Sequence, residues 1–241
     1  MHREERGGVL VLRFSKLSGF PELEHFFVTR HTPYDVTTAE GREAIARLFG
    51  IGSIFVPYQV HGADFLVFDK ELWYNASCCV ADAVLTRKKG FYSGILVADC
   101  VPLLLFAPGS GVLALVHAGW RGIIQNIHRR VLQAMEERFL VRPAEILAGV
   151  GPAIGSCCFR VGEEVAELFV KQGREVFLRW QEGSAFVDLK GIVVADLLGE
   201  GVVAENLEVS PLCTCCREEL FYSFRRDQTA RRCLLVAGLR G

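Results

Sequence analysis

The chain has 241 residues, 51% hydrophobic and 23% charged, enough for a large buried core without division into two domains. A formal net charge of −1 and the lack of a dense Lys/Arg block exclude nucleic acid as the main partner, because a phosphate backbone requires a positive face. The apolar run 94–107 is broken by Asp99 and Pro102 and is too short for a membrane helix, and residues 1–12 lack the pattern of a secretory leader. The expectation is a cytoplasmic protein that acts on a small molecule.

In chain order, β-rich apolar runs predict strands over residues 9–14 and 25–29, then a helix over 38–49 closed by Gly50. Strands follow over 54–56, 65–68, 95–98, 103–106 and 112–117. Ile123, Ile124, Ile127, Val131, Met135 and Phe139 recur at helical spacing and predict one helix over 123–140. Arg129, Arg130, Glu136, Glu137 and Arg138 take its other face, and His128 reads as a surface residue. Helices over 163–171 and 190–198, ended by Gly173 and Gly199, and strands over 185–189 and 233–237 complete the series. No repeat or linker interrupts it. The fold class is α/β (α+β layered), a single compact domain over 1–241 with a mixed β-sheet and flanking helices.

Nine cysteines are an odd count, and several are adjacent: Cys78-Cys79, Cys157-Cys158 and Cys215-Cys216. Neighbours in sequence rarely have the geometry for mutual disulfides, so reduced thiols are expected. Cys213-Thr214-Cys215-Cys216 contains a CxxC spacing, but a structural zinc needs four ligands and no second CxxC or HxxxH completes it. These cysteines therefore read as buried or incidental.

Chemistry concentrates in three segments that end apolar stretches: Gln59-Val60-His61-Gly62, Ala98-Asp99-Cys100 and Val116-His117-Ala118-Gly119-Trp120-Arg121-Gly122. If they converge, two imidazoles and one thiolate suit a zinc ion with its fourth position open to water or substrate. Each residue taken singly also has a plain structural reading, as a satisfied histidine or an inert buried thiol. Asp99 lies between apolar neighbours, so it needs a partner such as a ligating imidazole or a substrate proton, unless it caps a turn. After His117, Gly119 and Gly122 permit close backbone approach and Arg121 supplies a planar cation suited to phosphate. The alternative there is a tight strand-to-helix turn with a surface arginine.

These three segments, with Gly151-Pro152-Ala153-Ile154-Gly155 and the run Phe221-Tyr222-Ser223-Phe224-Arg225-Arg226-Asp227, resemble the YfiH-type, laccase-domain family along almost the whole chain and in the right order. The resemblance implies a mononuclear zinc held by His61, Cys100 and His117. It also implies phosphorolysis of purine nucleosides (adenosine, inosine, guanosine or methylthioadenosine) with phosphate as co-substrate, and adenosine deamination as a further activity. Arg30, Arg121, Arg225 and Arg226 are the cations available for phosphate, and Gln59 and Asp82 match family positions beside the substrate. Asp82 has a turn-capping alternative, and the two arginines have a structural one in ion pairs with Asp227. Asp99 is the candidate for moving protons in deamination. The sequence departs from the family at residues 31–38, so substrate contacts from that loop are not carried over.

Six histidines are too few for a blue-copper centre plus a three-copper cluster, although copper could occupy the His/Cys/His set in vitro and give a laccase-like polyphenol oxidase side activity. A second class of function is a metal-free hydrolase in which Cys100 is nucleophile and His117 its base. A zinc-binding protein without turnover is a third. The sequence sets neither the preferred nucleoside nor the oligomeric state.

Overall fold

A computed structural model of the chain describes residues 1–68 and 79–241, which leaves Cys78 outside. Two six-stranded sheets lie face to face. The first runs β1 (His2–Arg6), β2 (Val9–Arg13), β3 (Leu23–Val28), β15 (Cys233–Leu239), β7 (Tyr92–Val97), β4 (Ile54–Phe55). The second runs β14 (Leu207–Val209), β10 (Leu147–Val150), β8 (Val101–Ala107), β9 (Val112–Ala118), β6 (Ala83–Thr86), β5 (Phe65–Phe68). Pairing is antiparallel except for β4 on β7, β5 on β6 and β10 on β14, so both sheets are mixed. A third sheet orders β11 (Arg160–Val161), β13 (Ser184–Val187) and β12 (Leu178–Gln181).

Period-two alternation in the central strands builds this layering. Along β8, Leu103 and Leu105 face the helical side, while Leu104 and Phe106 fill the layer between the sheets. Along β9, Ala114 and Val116 point to the helices and Leu113 and Leu115 to the inter-sheet layer. Phe27 and Leu235 of the first sheet, with Phe14 just after β2, close that layer from the opposite side. Each such side chain, fully buried, contributes roughly 1.5–3 kcal/mol, and Phe106→Ala would cost about 3–5 kcal/mol. Helix α1 (Ala39–Phe49) covers the outer face of the first sheet. The outer face of the second is covered by α2 (Trp120–Ile124) and α3 (Ile127–Phe139), with α5 (Leu189–Gly199) packed on those two helices and α4 (Glu163–Val170) on β13. No helix among the described residues is long and apolar enough to cross a membrane.

Two expectations need correction here. The helix predicted over 123–140 is two helices, because Asn126 adopts φ 59° between α2 and α3. Asparagine tolerates this left-handed conformation, and the buried Arg174 guanidinium satisfies the break by donating to Asn126 Oδ1 (2.7 Å) and the Ile123 carbonyl (3.1 Å). His128 is not a surface residue: it is completely buried and its Nε2 lies 2.7 Å from Asp196 Oδ2 on α5. It shares the buried stripe of Val131, Leu132 and Met135 at i+3, i+4 and i+7. The charged edge strand β1 and the short β6, β10, β11, β12 and β14 were not among the predicted strands.

Candidate metal centre

Odd-numbered residues of β9 face the inter-sheet layer, and His117 continues that series beyond Leu113 and Leu115. On the neighbouring strand Pro102 pairs with His117 and Val101 with Ala118, so Cys100, just before β8, reaches the same end of the layer. His61 arrives from the segment after β4, in a left-handed backbone conformation (φ 61°). The ligand atoms of His61, Cys100 and His117 all lie within 4.8 Å of one another. The two imidazole rings stand 4.9 Å apart, edge to face.

Asp82, fully buried just before β6, organises this convergence. Its carboxylate accepts from His117 Nδ1 at 2.7 Å and from the backbone amides of Val60 (3.2 Å), His61 (2.9 Å) and Gly62 (2.7 Å). One side chain thereby orients one imidazole, leaving its Nε2 to face Cys100, and fixes the turn that carries the other. The expectation that Asp82 touches substrate is corrected: its oxygens are occupied and it does not line the cavity.

The two glycines after His117 clear space for the donors. A Cβ on Gly119 would lie 3.1 Å from Cys100 Sγ and 3.1 Å from His61 Cδ2, and one on Gly122 would lie 2.8 Å from the Gly62 carbonyl. Burial alone would raise the Cys100 thiol, but His117 and His61 overcome it and bring its pKa down to about 6. Burial likewise opposes a charge on His117, yet the Cys100 and Asp82 charges lift its pKa to about 9. The thiolate is thus available at neutral pH, and the N, S, N donor set fits a zinc ion.

The donors form one wall of a cavity of about 620 Å³. Tyr58, Trp120, Phe159 and Phe224 supply flat apolar surface and Arg121, Arg225 and Arg232 supply cations. Arg121 stacks on Trp120 at 4.3 Å, and its guanidinium has no ion pair among the described residues. Arg225 lies over Phe159 and donates to the Arg160 carbonyl. Arg232 was missed in sequence, since nothing local separates it from Arg231.

The remaining predicted residues hold structure. Gln59 borders the cavity, but its amide donates to the Leu96 carbonyl at 2.9 Å and accepts from the Leu96 amide at 2.8 Å, a strand-like tie to β7. Asp99 (φ 93°) also borders it, yet its carboxylate accepts from Thr214 Oγ1 (2.6 Å), Ser223 Oγ (3.0 Å) and the Arg225 amide (2.7 Å). Three of about four lone-pair directions are taken, so Asp99 ties wall segments together. Arg226 pairs with Asp227 and donates to the carbonyls of Thr214, Cys215 and Phe221, away from the cavity. Arg30 donates to the Glu218 carbonyl over the Tyr222 ring and is also outside. None of residues 31–38 lines the cavity, whereas Ile154 of the Gly151-to-Gly155 loop does.

One reading of the cysteines is overturned as well. The CxxC pair does find partners: Cys213 and Cys216 meet the adjacent Cys157 and Cys158, with all four sulfurs within 4.8 Å of one another. A pair with no spacing between its members gave no motif to recognise.

A family model described as multi-copper polyphenol oxidoreductase laccase matches residues 27–239. The chain belongs to this laccase family. Among similar proteins, a purine nucleoside phosphorylase from Bacteroides thetaiotaomicron is 31% identical over 90% of this chain and 91% of its own. The adenosine deaminase RL5 from an unknown prokaryotic organism is 32% identical over 78% and 76%. The crystal structure of YlmD from Geobacillus stearothermophilus superposes with a TM-score of 0.84 at 28% identity, covering 99% of this chain and 98% of that one. The laccase-family fold is therefore a layered arrangement of mixed sheets and helices, as expected. The donor set does not extend to a multicopper centre: His2, His25, His31 and His128 are engaged elsewhere, and only two imidazoles meet.

Proposed function

We propose that this laccase-family chain is a zinc-dependent purine nucleoside phosphorylase with adenosine deaminase activity. The observation that carries the reading is the convergence of His61, Cys100 and His117 at one wall of a cavity that also presents aromatic faces and arginines. The relatives named for phosphorolysis and deamination support it. His61, Cys100 and His117 would hold the zinc, which supplies Lewis-acid polarisation at an open coordination position.

The protein's own groups account for the rest. A purine stacks on aromatic side chains such as Trp120 and Phe159, which fix its plane and exclude water. Arg121, and with it Arg225 and Arg232, binds hydrogen phosphate and offsets the charge that gathers as its oxygen approaches C1′. The C1′–O bond forms as the C1′–N9 bond breaks, the base departs with the electron pair, and the proton of hydrogen phosphate balances the one the base acquires. Asp82 and Asp99 act as positioning residues, one for the donors and one for the cavity wall.

The test is a paired assay on metal-quantified wild type and Cys100→Ala, following adenosine and inosine with and without phosphate. Free base that requires phosphate, lost together with about one zinc per chain in the variant, supports phosphorolysis, and inosine from adenosine supports deamination. Neither product at full zinc occupancy refutes the reading. The shifted Cys100 and His117 pair favours one rival, a metal-free thiolate–imidazolium hydrolase. That enzyme would keep its activity in chelator and lose it on alkylation.

A further inference from the structure

Four cysteines outside the His61/Cys100/His117 set lie together where two loops meet. Cys157 and Cys158 lie on the turn that follows Gly155, and Cys213 and Cys216 bracket the turn before α6 (Phe224–Asp227). The loops are held in register by a parallel bridge between Ala153 and Cys213 and by the Thr214 amide on the Ala153 carbonyl at 3.1 Å. Cys216 Sγ is 3.5 Å from Cys157 Sγ and 3.3 Å from Cys158 Sγ. Tetrahedral zinc with Zn–S bonds of about 2.3 Å places its sulfurs about 3.8 Å apart, the spacing range seen here.

Three details separate this cluster from four thiols that happen to be close. The Gly155 amide donates to Cys213 Sγ at 3.2 Å, a contact that stabilises a thiolate. A Cβ on Gly155 would sit 3.1 Å from Cys157 Sγ and 3.6 Å from Cys213 Sγ, so the turn is shaped around the sulfurs. Cys157 and Cys216 are exposed, whereas thiols serving only as small hydrophobes would be buried. Cys215, whose sulfur lies outside the group of four, packs against the same helical core as Cys158 and Cys213.

We propose that Cys157, Cys158, Cys213 and Cys216 form a second metal site, a zinc tetrathiolate that staples the 155–159 turn to the 213–217 turn. Thr214 inside one turn is a hydrogen-bond partner of Asp99, and Phe159 at the end of the other lines the cavity, so the staple fixes one wall of the active-site cleft. Zinc entry displaces the thiol protons to solvent, and affinity falls as pH falls.

The test is metal quantification on the full chain purified with zinc, together with cobalt substitution. Wild type is expected to hold about two zinc per chain, Cys100→Ser about one, and Cys213→Ser/Cys216→Ser about one. Cobalt bound to Cys100→Ser should show the intense visible bands and thiolate charge transfer of a tetrahedral all-sulfur site. That measurement stands even if the double variant fails to fold. The proposal is overturned if Cys100→Ser binds neither zinc nor cobalt. It is equally overturned if peptide mapping of unreduced protein finds Cys157, Cys158, Cys213 or Cys216 in disulfides. Neither result depends on which reaction the cavity performs.

Discussion

Asp82 accepts the His117 Nδ1 proton at 2.7 Å with the same carboxylate that gathers the amides of Val60, His61 and Gly62. Two donors from distant parts of the chain are therefore positioned by one buried side chain. Asp82→Asn preserves shape but replaces one acceptor oxygen with a donor that confronts amide N–H groups or the imidazole. Zinc affinity is expected to fall about 10- to 100-fold, read by competition with a chromophoric chelator. Unchanged affinity would show that the carboxylate is dispensable for positioning.

The lowered Cys100 thiol gives a second prediction. In metal-free protein the thiolate fraction rises as pH passes about 6, so peptide-resolved iodoacetamide labelling of Cys100 should reach half its maximum rate near there. Zinc should protect the residue. A midpoint near the ordinary thiol value of about 8.5 would mean that the imidazoles do not stabilise the thiolate.

Gly119 tests crowding separately from strain, because its φ of −72° and ψ of 165° suit any residue. Gly119→Ala introduces a Cβ 3.1 Å from both Cys100 Sγ and His61 Cδ2. Overpacking of this kind costs about 1–3 kcal/mol, so zinc affinity should drop at least about fivefold while circular dichroism stays the same. Full affinity in the variant would show that the donors have room to spare.

Arginines with different surroundings should behave differently. Arg121→Ala removes a cation with no ion pair and is expected to lower kcat/KM for phosphate about 10- to 100-fold with little change in melting temperature, the scale of one charge-assisted hydrogen bond. Arg226→Ala breaks ties to Asp227 and three carbonyls and should act on stability first. The reverse pattern would place phosphate elsewhere.

His25 predicts an acid limb in stability. Burial, helped by the Arg13 charge, lowers its pKa to about 4, and its Nε2 accepts from the Phe14 amide at 3.0 Å. The unfolded chain therefore takes up a proton that the folded chain refuses between pH 6.5 and about 4. Stability is complete above that window and declines through it by about 3 kcal/mol. Urea unfolding at pH 7 and 4.5 should show the slope in wild type and a flatter one in His25→Gln.

The three donors could be read from the chain because each ends an apolar run, where a polar residue marks the boundary of a buried strand. Asp82 stood out for the same reason, between Ala81 and Ala83, but its partners lie 20 or more residues away and depend on sheet order. The arginines were less legible. Arg225 and Arg226 are adjacent and identical, and only the fold turns one toward the cavity and the other toward Asp227. His128 looked exposed because a lone polar residue on an apolar stripe has no visible partner until α5 brings up Asp196. The four clustered sulfurs stayed hidden for the same reason.

Cys100 and His117 emerge from the ends of core strands, whereas Tyr58, Phe159 and Phe224 come from segments outside any strand or at helix ends. Evolution can thus work on the two parts at different rates. Changes at the rim can retune what the cavity accepts at little thermodynamic cost, while changes at the floor disturb strand packing and the His/Cys/His donor set together. Divergent members of such a lineage would then keep one reactive floor beneath many selectivities.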